Sequence, residues 1–424
     1  MKKSFLLFLM LFVSIFLVCC GTSKEMDKPG SFPEDPSPSP SFVSDKAMTD
    51  GEFSGRDPST SYESEVLPPK EGEGEEENYV EPRAGQLTSS VVFDNDKYDF
   101  WKSLITKGQE EGAFYKYMKK YPFDSSNRIK VTVPGVCGAK VVIDNKFIGK
   151  TDSNGVVYLF PTKADSYSLV VTFNQANEQE YKFEQTITED YTLDLTGIQA
   201  KAKNDKIQIM LILDTTGSMG DEIAFLKSEL KNVINQVKKD LGNITIELSL
   251  VFYRDFGDDY VTLTTDFSTD IDKMINELSK QYADGGGDWE EAVHEAFKAA
   301  NKQSWDEDAK TKLLIWVADA PCHDDDAKVV KAETEAFAEK GIRVITVASS
   351  GIDKATEFLF RSICIETNGC YGYLTNDSGI GNEHVEATTE EKPTVEYLNK
   401  MLVRIIKGFY TGTFEEAIAW RGQE

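Results

Sequence analysis

Histidine is nearly missing from this chain: there are three in 424 residues. No recognisable catalytic motif makes up for them, so the sequence reads as that of a non-enzymatic protein. Cysteine is sparse too. Beyond Cys19 and Cys20 only Cys137, Cys322, Cys364 and Cys370 remain, and none forms the CxxC pairing of a zinc site. Positive charge is in short supply, with 46 Lys and Arg against 72 Asp and Glu, a formal net charge of −26. Binding phosphate backbones needs a basic face, which excludes nucleic acid as the partner. Long apolar runs are also wanting. The run from Phe5 to Val18 is short for a spanning helix and stops at Cys19-Cys20-Gly21.

That first segment has the shape of a leader, with Lys2 and Lys3 as a basic head and an apolar body. Leu17-Val18-Cys19-Cys20 resembles the bacterial lipobox, with Cys19 where Gly, Ala or Ser is usual. The resemblance implies a lipoprotein signal peptide over 1–20, lipidation of Cys20, and export to the inner or outer bacterial membrane, facing the periplasm or the exterior. A doubly or triply acylated cysteine is enough for stable anchoring. Residues 21–83 follow, rich in Ser, Pro, Glu, Asp and Gly and including the acidic tract Glu71 to Glu77. A segment with so few apolar residues cannot offset its ordering entropy, and a disordered acidic tether is expected.

Aromatic residues then appear. Residues 84–125 carry Phe93, Tyr98, Phe100, Trp101, Phe114, Tyr115, Tyr117 and Tyr121. The segment is too short for a core of its own, and it is expected to connect and to pack on a neighbour, with Leu87 to Phe93 as an edge strand. Residues 126–197 alternate apolar and polar positions (Ile129, Val131, Val133) and are punctuated by Asp144-Asn145-Lys146 and Thr151-Asp152-Ser153-Asn154-Gly155. This predicts a small all-β sandwich. Its turn motif resembles that of carboxypeptidase regulatory-like and Ig-like modules, which implies a spacer or accessory unit.

From about Lys206 strand and helix patterns alternate as far as a helix over Val395 to Tyr410, with a C-terminal tail over 413–424. Alternation of this kind predicts an α/β fold, a doubly wound and mostly parallel sheet, over 203–412. The buried strand Ile207 to Leu213 runs into Asp214-Thr215-Thr216-Gly217-Ser218, so a carboxylate and two hydroxyls alternate in one turn. Hard oxygen donors at the carboxyl end of a strand suit Mg²⁺ or Ca²⁺. Cys364 and Cys370 could close a small disulfide loop in an exported protein.

Lys206 to about Tyr410 resembles a von Willebrand factor type A domain, whose metal-ion-dependent adhesion site reads Asp-x-Ser-x-Ser, a Thr in a Gly-rich loop, and a later Asp at a strand end. Here the matching residues are Asp214, Thr216 and Ser218, then Asp288 in Gly285-Gly286-Gly287-Asp288, then Asp319 in Val317-Ala318-Asp319. The resemblance implies a divalent cation, foremost Mg²⁺ with Ca²⁺ or Mn²⁺ as alternatives, bound by Asp214, Thr216, Ser218, Asp288 and Asp319. With Asp288 in the Thr position, a third carboxylate is expected to tighten metal binding and to weaken the pull on an external acidic ligand. Mutual repulsion of three carboxylates, several kcal/mol per close pair at an effective dielectric near ~20, would make the metal-free site costly. Trp289 and His323 are candidates for the ligand rim. Trp289 could instead fill the gap under the loop, and His323 could cap the next helix. Arg254 and Asp255 could orient the metal loop or form an ion pair between loops, while His294 reads as packed or exposed. The implied function is a membrane-anchored surface protein that binds a protein or glycan partner through the cation. The alternatives are an envelope scaffold with a purely structural metal and, further off, a metal-assisted hydrolase.

Overall fold

The computed structural model describes residues 81–107 and 114–422. The expected leader with Cys20, and the tether up to residue 80, lie outside the described residues. Among the described residues no helix is long and apolar enough to cross a membrane.

In chain order the elements are β1 (Thr88–Val92), α1 (Tyr98–Ile105), β2 (Ile129–Thr132), β3 (Lys140–Ile143), β4 (Phe147–Lys150), β5 (Val156–Leu159), β6 (Tyr167–Asn174), β7 (Glu180–Ile187) and β8 (Tyr191–Thr192). The α/β run follows with β9 (Asn204–Asp214), α2 (Ile223–Leu241), β10 (Thr245–Tyr253), β11 (Thr262–Thr264), α3 (Ile271–Ser279), α4 (Val293–Lys302) and β12 (Ala309–Ala318). It ends with α5 (Ala327–Lys340), β13 (Ile342–Ala348), α6 (Lys354–Glu366), β14 (Cys370–Leu374), β15 (Glu396–Tyr397) and α7 (Leu398–Thr411).

The central sheet has eight strands in the order β11-β10-β9-β12-β13-β14-β1-β15. Strands β10, β9, β12, β13 and β14 are mutually parallel, and β11 and β1 run antiparallel to their neighbours. Apolar residues of β9 alternate between faces. Ile207, Ile209, Leu211 and Leu213 pack with α2, α3 and α7, while Met210 and Ile212 pack with α4, α5 and α6. Helices on both sheet faces explain why its central strands read as unbroken apolar runs.

The segment over 84–125 is more than a connection. β1 is not an edge strand: it pairs with β14 along Ser89 to Val92 and with β15 through Thr88 and Ser89. The Glu229 carboxylate of α2 accepts the backbone N–H groups of Gly85, Gln86 and Leu87 at 2.8, 2.9 and 3.1 Å. The aromatic residues that follow cover α6. Trp101 stacks on Phe358 at 6.2 Å between ring centroids, and Phe114 meets the same ring at 5.8 Å. The α/β domain is therefore assembled from two stretches of chain, with the β module threaded in between. Sequence periodicity cannot show which sheet a short strand joins, because that choice is made by contacts hundreds of residues away.

The β module is a sandwich of a three-stranded sheet (β5-β2-β8) and a four-stranded sheet (β4-β3-β6-β7). Val131, Val141, Val157, Leu169 and Val171 fill its core. It docks on the α/β domain through Asn368, whose side chain pairs with both backbone polar groups of Tyr158, and through Ser153, which donates to the Phe409 carbonyl at 2.7 Å. The tail past residue 412 is pinned as well: Phe414 packs between Phe93 and Phe409, 5.1 Å from each ring. The expected disulfide is absent. Cys364 and Cys370 are buried free thiols, and the Cys364 thiol donates to the Cys370 carbonyl at 3.1 Å. Cys364 packs between α6 and the sheet and Cys370 on the opposite face with α7, and burial raises both thiol pKa values and keeps them protonated.

Candidate metal centre

Sheet order places the site. The chain leaves β9 toward β10 on one side and later builds β12, β13 and β14 on the other, so the crevice lies above the ends of β9 and β12. Leu213 lies opposite Val317 in the register, which sets Asp214 and Asp319 at neighbouring strand ends. The loop after β9 is wound tightly around its own carboxylate. Asp214 Oδ1 accepts from the Thr216 N–H at 3.0 Å and from the Thr216 hydroxyl at 2.6 Å. The Thr216 and Ser218 hydroxyls are 3.2 Å apart. These three side chains thus converge as the sequence motif implies.

Two loops brace this one. Arg254 is buried, and its Nε donates to the Thr215 carbonyl at 3.1 Å while Nη2 donates to the Tyr282 carbonyl at 3.1 Å. It therefore ties the metal loop to the glycine loop, and its acidic partner is Asp284 at 3.9 Å rather than Asp255. The Gly217 N–H donates to the Gly285 carbonyl at 3.2 Å. Gly285 has φ +78°, and a Cβ there would fall 2.4 Å from the Asp258 carboxylate, so only glycine fits.

The structure departs from the sequence over the third carboxylate. Asp288 is exposed at the rim, and its carboxylate gathers with Asp255 and His323. The third carboxyl buried near Asp214 and Asp319 is Glu291, which feels their charges and those of Asp255 and Asp258. It is 2% exposed, its N–H donates to the Pro321 carbonyl at 2.9 Å, and it forms a bridge with Cys322 beside the Asp319 loop. The helix starts later than the sequence pattern suggests, at Val293 instead of Trp289, and the irregular stretch before it turns Glu291 inward. One signal was legible in retrospect: Glu291 is the last charged residue before the apolar Ala292-Val293, at the boundary where a side chain turns inward.

Electrostatics agree with a cation-binding role. Asp214 Oδ2, Asp319 Oδ1 and Glu291 Oε2 are buried oxygens without a hydrogen-bond partner. Burial raises the Asp214 pKa, against the Thr216 hydrogen bonds that lower it. Burial and then the Asp214 charge raise that of Asp319, although the Ser218 hydroxyl pulls it down. Burial and then the charges of Asp214, Asp255, Asp319 and Asp258 push Glu291 up to about 9. Buried carboxyl groups with spare lone pairs and, among the described residues, no cation bonded to those oxygens suit a bound divalent ion. The donors, three carboxylates and two hydroxyls, are all hard oxygens.

Of the expected rim residues, Trp289 is 39% exposed, and it has exposed aromatic company in Phe256 and Tyr282 on the neighbouring loops. His323 does not cap its helix with its side chain; its Nε2 lies 2.9 Å from Asp255 Oδ1. His294 is packed, with its ring 5.7 Å from that of Phe256.

Comparison with known proteins bears on this region. The profile of the von Willebrand factor A domain matches residues 208–380. A putative ariadne-like RING finger protein of Acanthamoeba polyphaga mimivirus is 30% identical over 117 residues, 28% of this chain and 11% of that protein. An alpha-protein kinase, vwkA, of Dictyostelium discoideum is 29% identical over 149 residues, 35% of this chain and 23% of its own. The chain thus spans under a quarter of the length of either relative. Among solved structures, the conserved hypothetical protein BatB of Bacteroides thetaiotaomicron aligns with a TM-score of 0.32 at 13% identity, covering 48% of this chain and 98% of BatB. The open form of the pilus adhesin SpaC of Lactobacillus rhamnosus GG aligns with a TM-score of 0.32 at 12% identity, covering 54% and 33%. Residues 208–380 of this chain are a von Willebrand factor A domain.

Proposed function

We propose that this protein binds a partner protein through a divalent cation held above the β9–β12 crevice, and that it does so as an exported, lipid-anchored surface protein without enzymatic activity. The observation that carries the reading is the trio of buried, unpartnered carboxylate oxygens on Asp214, Asp319 and Glu291. Asp214 and Asp319 with Thr216 and Ser218 would hold the cation, Mg²⁺ foremost, with the Glu291 carboxyl buried nearby. When bound, the ion would offer an open coordination position to an oxygen of the partner. Asp214 Oδ1 accepts from the Thr216 hydroxyl and N–H, which holds the loop's oxygen donors together. Exposed Trp289, Phe256 and Tyr282 supply the apolar anchors around that point that protein interfaces favour. A glycan is the second candidate partner, since exposed aromatic rings also offer faces to sugars. The anchor at Cys20 and the tether would set the domain at a distance from the membrane.

The test is capture of a partner from envelope extracts with and without chelator, using the full chain and Asp214→Ala. Loss of capture in both arms supports the proposal. Capture that survives both would make the cation a structural brace only, which is the scaffold alternative.

A further inference from the structure

A second group of donors stands beside the first site. Asp255 comes from the loop after β10, Asp288 from the glycine loop, and His323 from the loop after β12. One donor atom from each lies within 4.8 Å of the other two. Ligand atoms around a single cation, about 2.0–2.6 Å from it, are separated by up to about 4–5 Å, so three loops have already brought their donors to coordination spacing. Asp255 is 9% exposed whereas Asp288 is exposed, so the group has a buried floor and an open side.

The Glu291 carboxyl is buried close by, three residues from Asp288 along the chain and with its backbone bridged to Cys322, the neighbour of His323. Its Oε2 has no hydrogen-bond partner among the described residues, and Asp255 and Asp258 act on it as well as Asp214 and Asp319. The nearby basic side chains are engaged elsewhere: Arg254 holds two carbonyls and Asp284, and Lys120 pairs with Asp324 and Glu290. Beside Asp255 stands the His323 imidazole at 2.9 Å, and exposed Asp288 adds a second carboxylate to that pair.

We infer that Asp255, Asp288 and His323 bind a second divalent cation next to the first, one of the class that accepts mixed imidazole and carboxylate donors, Zn²⁺ or Mn²⁺. The imidazole sets the class. Mg²⁺ and Ca²⁺ prefer all-oxygen shells, as the first site offers, whereas a nitrogen donor favours first-row metals. His323 Nε2 and Asp255 Oδ1 now share a hydrogen bond at 2.9 Å. Metal binding replaces that proton, and three protein ligands leave positions open to solvent. Glu291, buried close by, would offset both charges.

The experiment is equilibrium dialysis of the full chain against micromolar Zn²⁺ in millimolar Mg²⁺, with bound metal counted by mass spectrometry. The same samples loaded with Mn²⁺ are read by pulsed EPR for nitrogen coupling. One equivalent of Zn²⁺ and a nitrogen signal are expected. His323→Gln and the exposed Asp288→Asn should weaken Zn²⁺ binding by about tenfold or more, and His323→Gln should abolish the nitrogen signal. Asp319→Asn should keep the Zn²⁺ while losing Mg²⁺ binding, which separates the two sites. Absence of Zn²⁺ from the unaltered chain, or its undiminished retention in folded His323→Gln, would overturn the inference.

Discussion

The Arg361 guanidinium clasps the Asp94 carboxylate along one edge, with Nε donating to Oδ2 at 3.0 Å and Nη2 to Oδ1. These residues are 267 positions apart and both are buried. On its other side Arg361 Nη1 donates to Glu357 Oε1 at 3.0 Å and to the Thr388 carbonyl. One buried cation thus joins the segment after β1, helix α6 and the long loop before β15. Replacing Arg361 with Leu strands two buried carboxylates. The expected loss is about 3–5 kcal/mol of stability, measured by chemical denaturation.

Glu291 is expected to matter more to the cation than to the fold. Glu291→Gln replaces a buried carboxyl, raised to about 9 by burial and its acidic neighbours, with a neutral amide. Its metal-free form should melt at or above the temperature of the unaltered protein at pH 8. Stabilisation by Mg²⁺ should shrink, with affinity down by about tenfold or more. A thermal-shift titration reads both effects, and an unchanged Mg²⁺ response would remove Glu291 from the site.

The pH dependence has a definite sign. Glu291 is raised by burial and neighbouring carboxylates to about 9 in the folded protein, against about 4.3 when unfolded. An acid raised in this way contributes stability in full below its unfolded pKa and loses it as pH rises toward the folded value. Asp319 is shifted in the same direction. The metal-free protein should therefore lose stability from about pH 4 to 9, by up to about 1.4 kcal/mol per unit for each group in its window. Saturating Mg²⁺ should flatten the decline, because the ion takes the place of the protons. Melting curves that run parallel with and without Mg²⁺ would contradict this.

The seam between the β module and the α/β domain depends on Asn368. This residue has φ 57°, and its side chain accepts the Tyr158 N–H at 2.7 Å while donating to the Tyr158 carbonyl at 3.0 Å. Asn368→Ala removes both bonds and leaves a left-handed alanine. A cost of about 1–3 kcal/mol is expected, together with faster proteolytic cleavage near residue 126. Asn368→Gly should recover the backbone part only.

Trp289 and Phe256 are 39% and 58% exposed on the loops around the metal site. Changing both to Ala should leave the protein folded and weaken partner capture by tenfold or more, since exposed aromatics at a binding centre are energetic anchors. Equal capture by the double variant would place the interface elsewhere.

Much of the fold was legible because its signals are local. The limits of α5 and β13 follow the predicted Ala327–Lys340 and Ile342–Ala348, since periodic apolar residues and Gly341 in a left-handed cap mark them. The Asp214, Thr216 and Ser218 triad was legible for the same reason, as a strand end and its turn lie within five residues. The capture of β1 by the main sheet, the thiols of Cys364 and Cys370, and the exchange of Asp288 for Glu291 in the buried cluster were not. Periodicity and turn chemistry are properties of neighbours along the chain, so an α/β layer with hard oxygen donors at a strand end was written in the residue order. Which carboxylates are dry and which face solvent depends on loops that meet from distant parts of the chain, so it was settled only by folding.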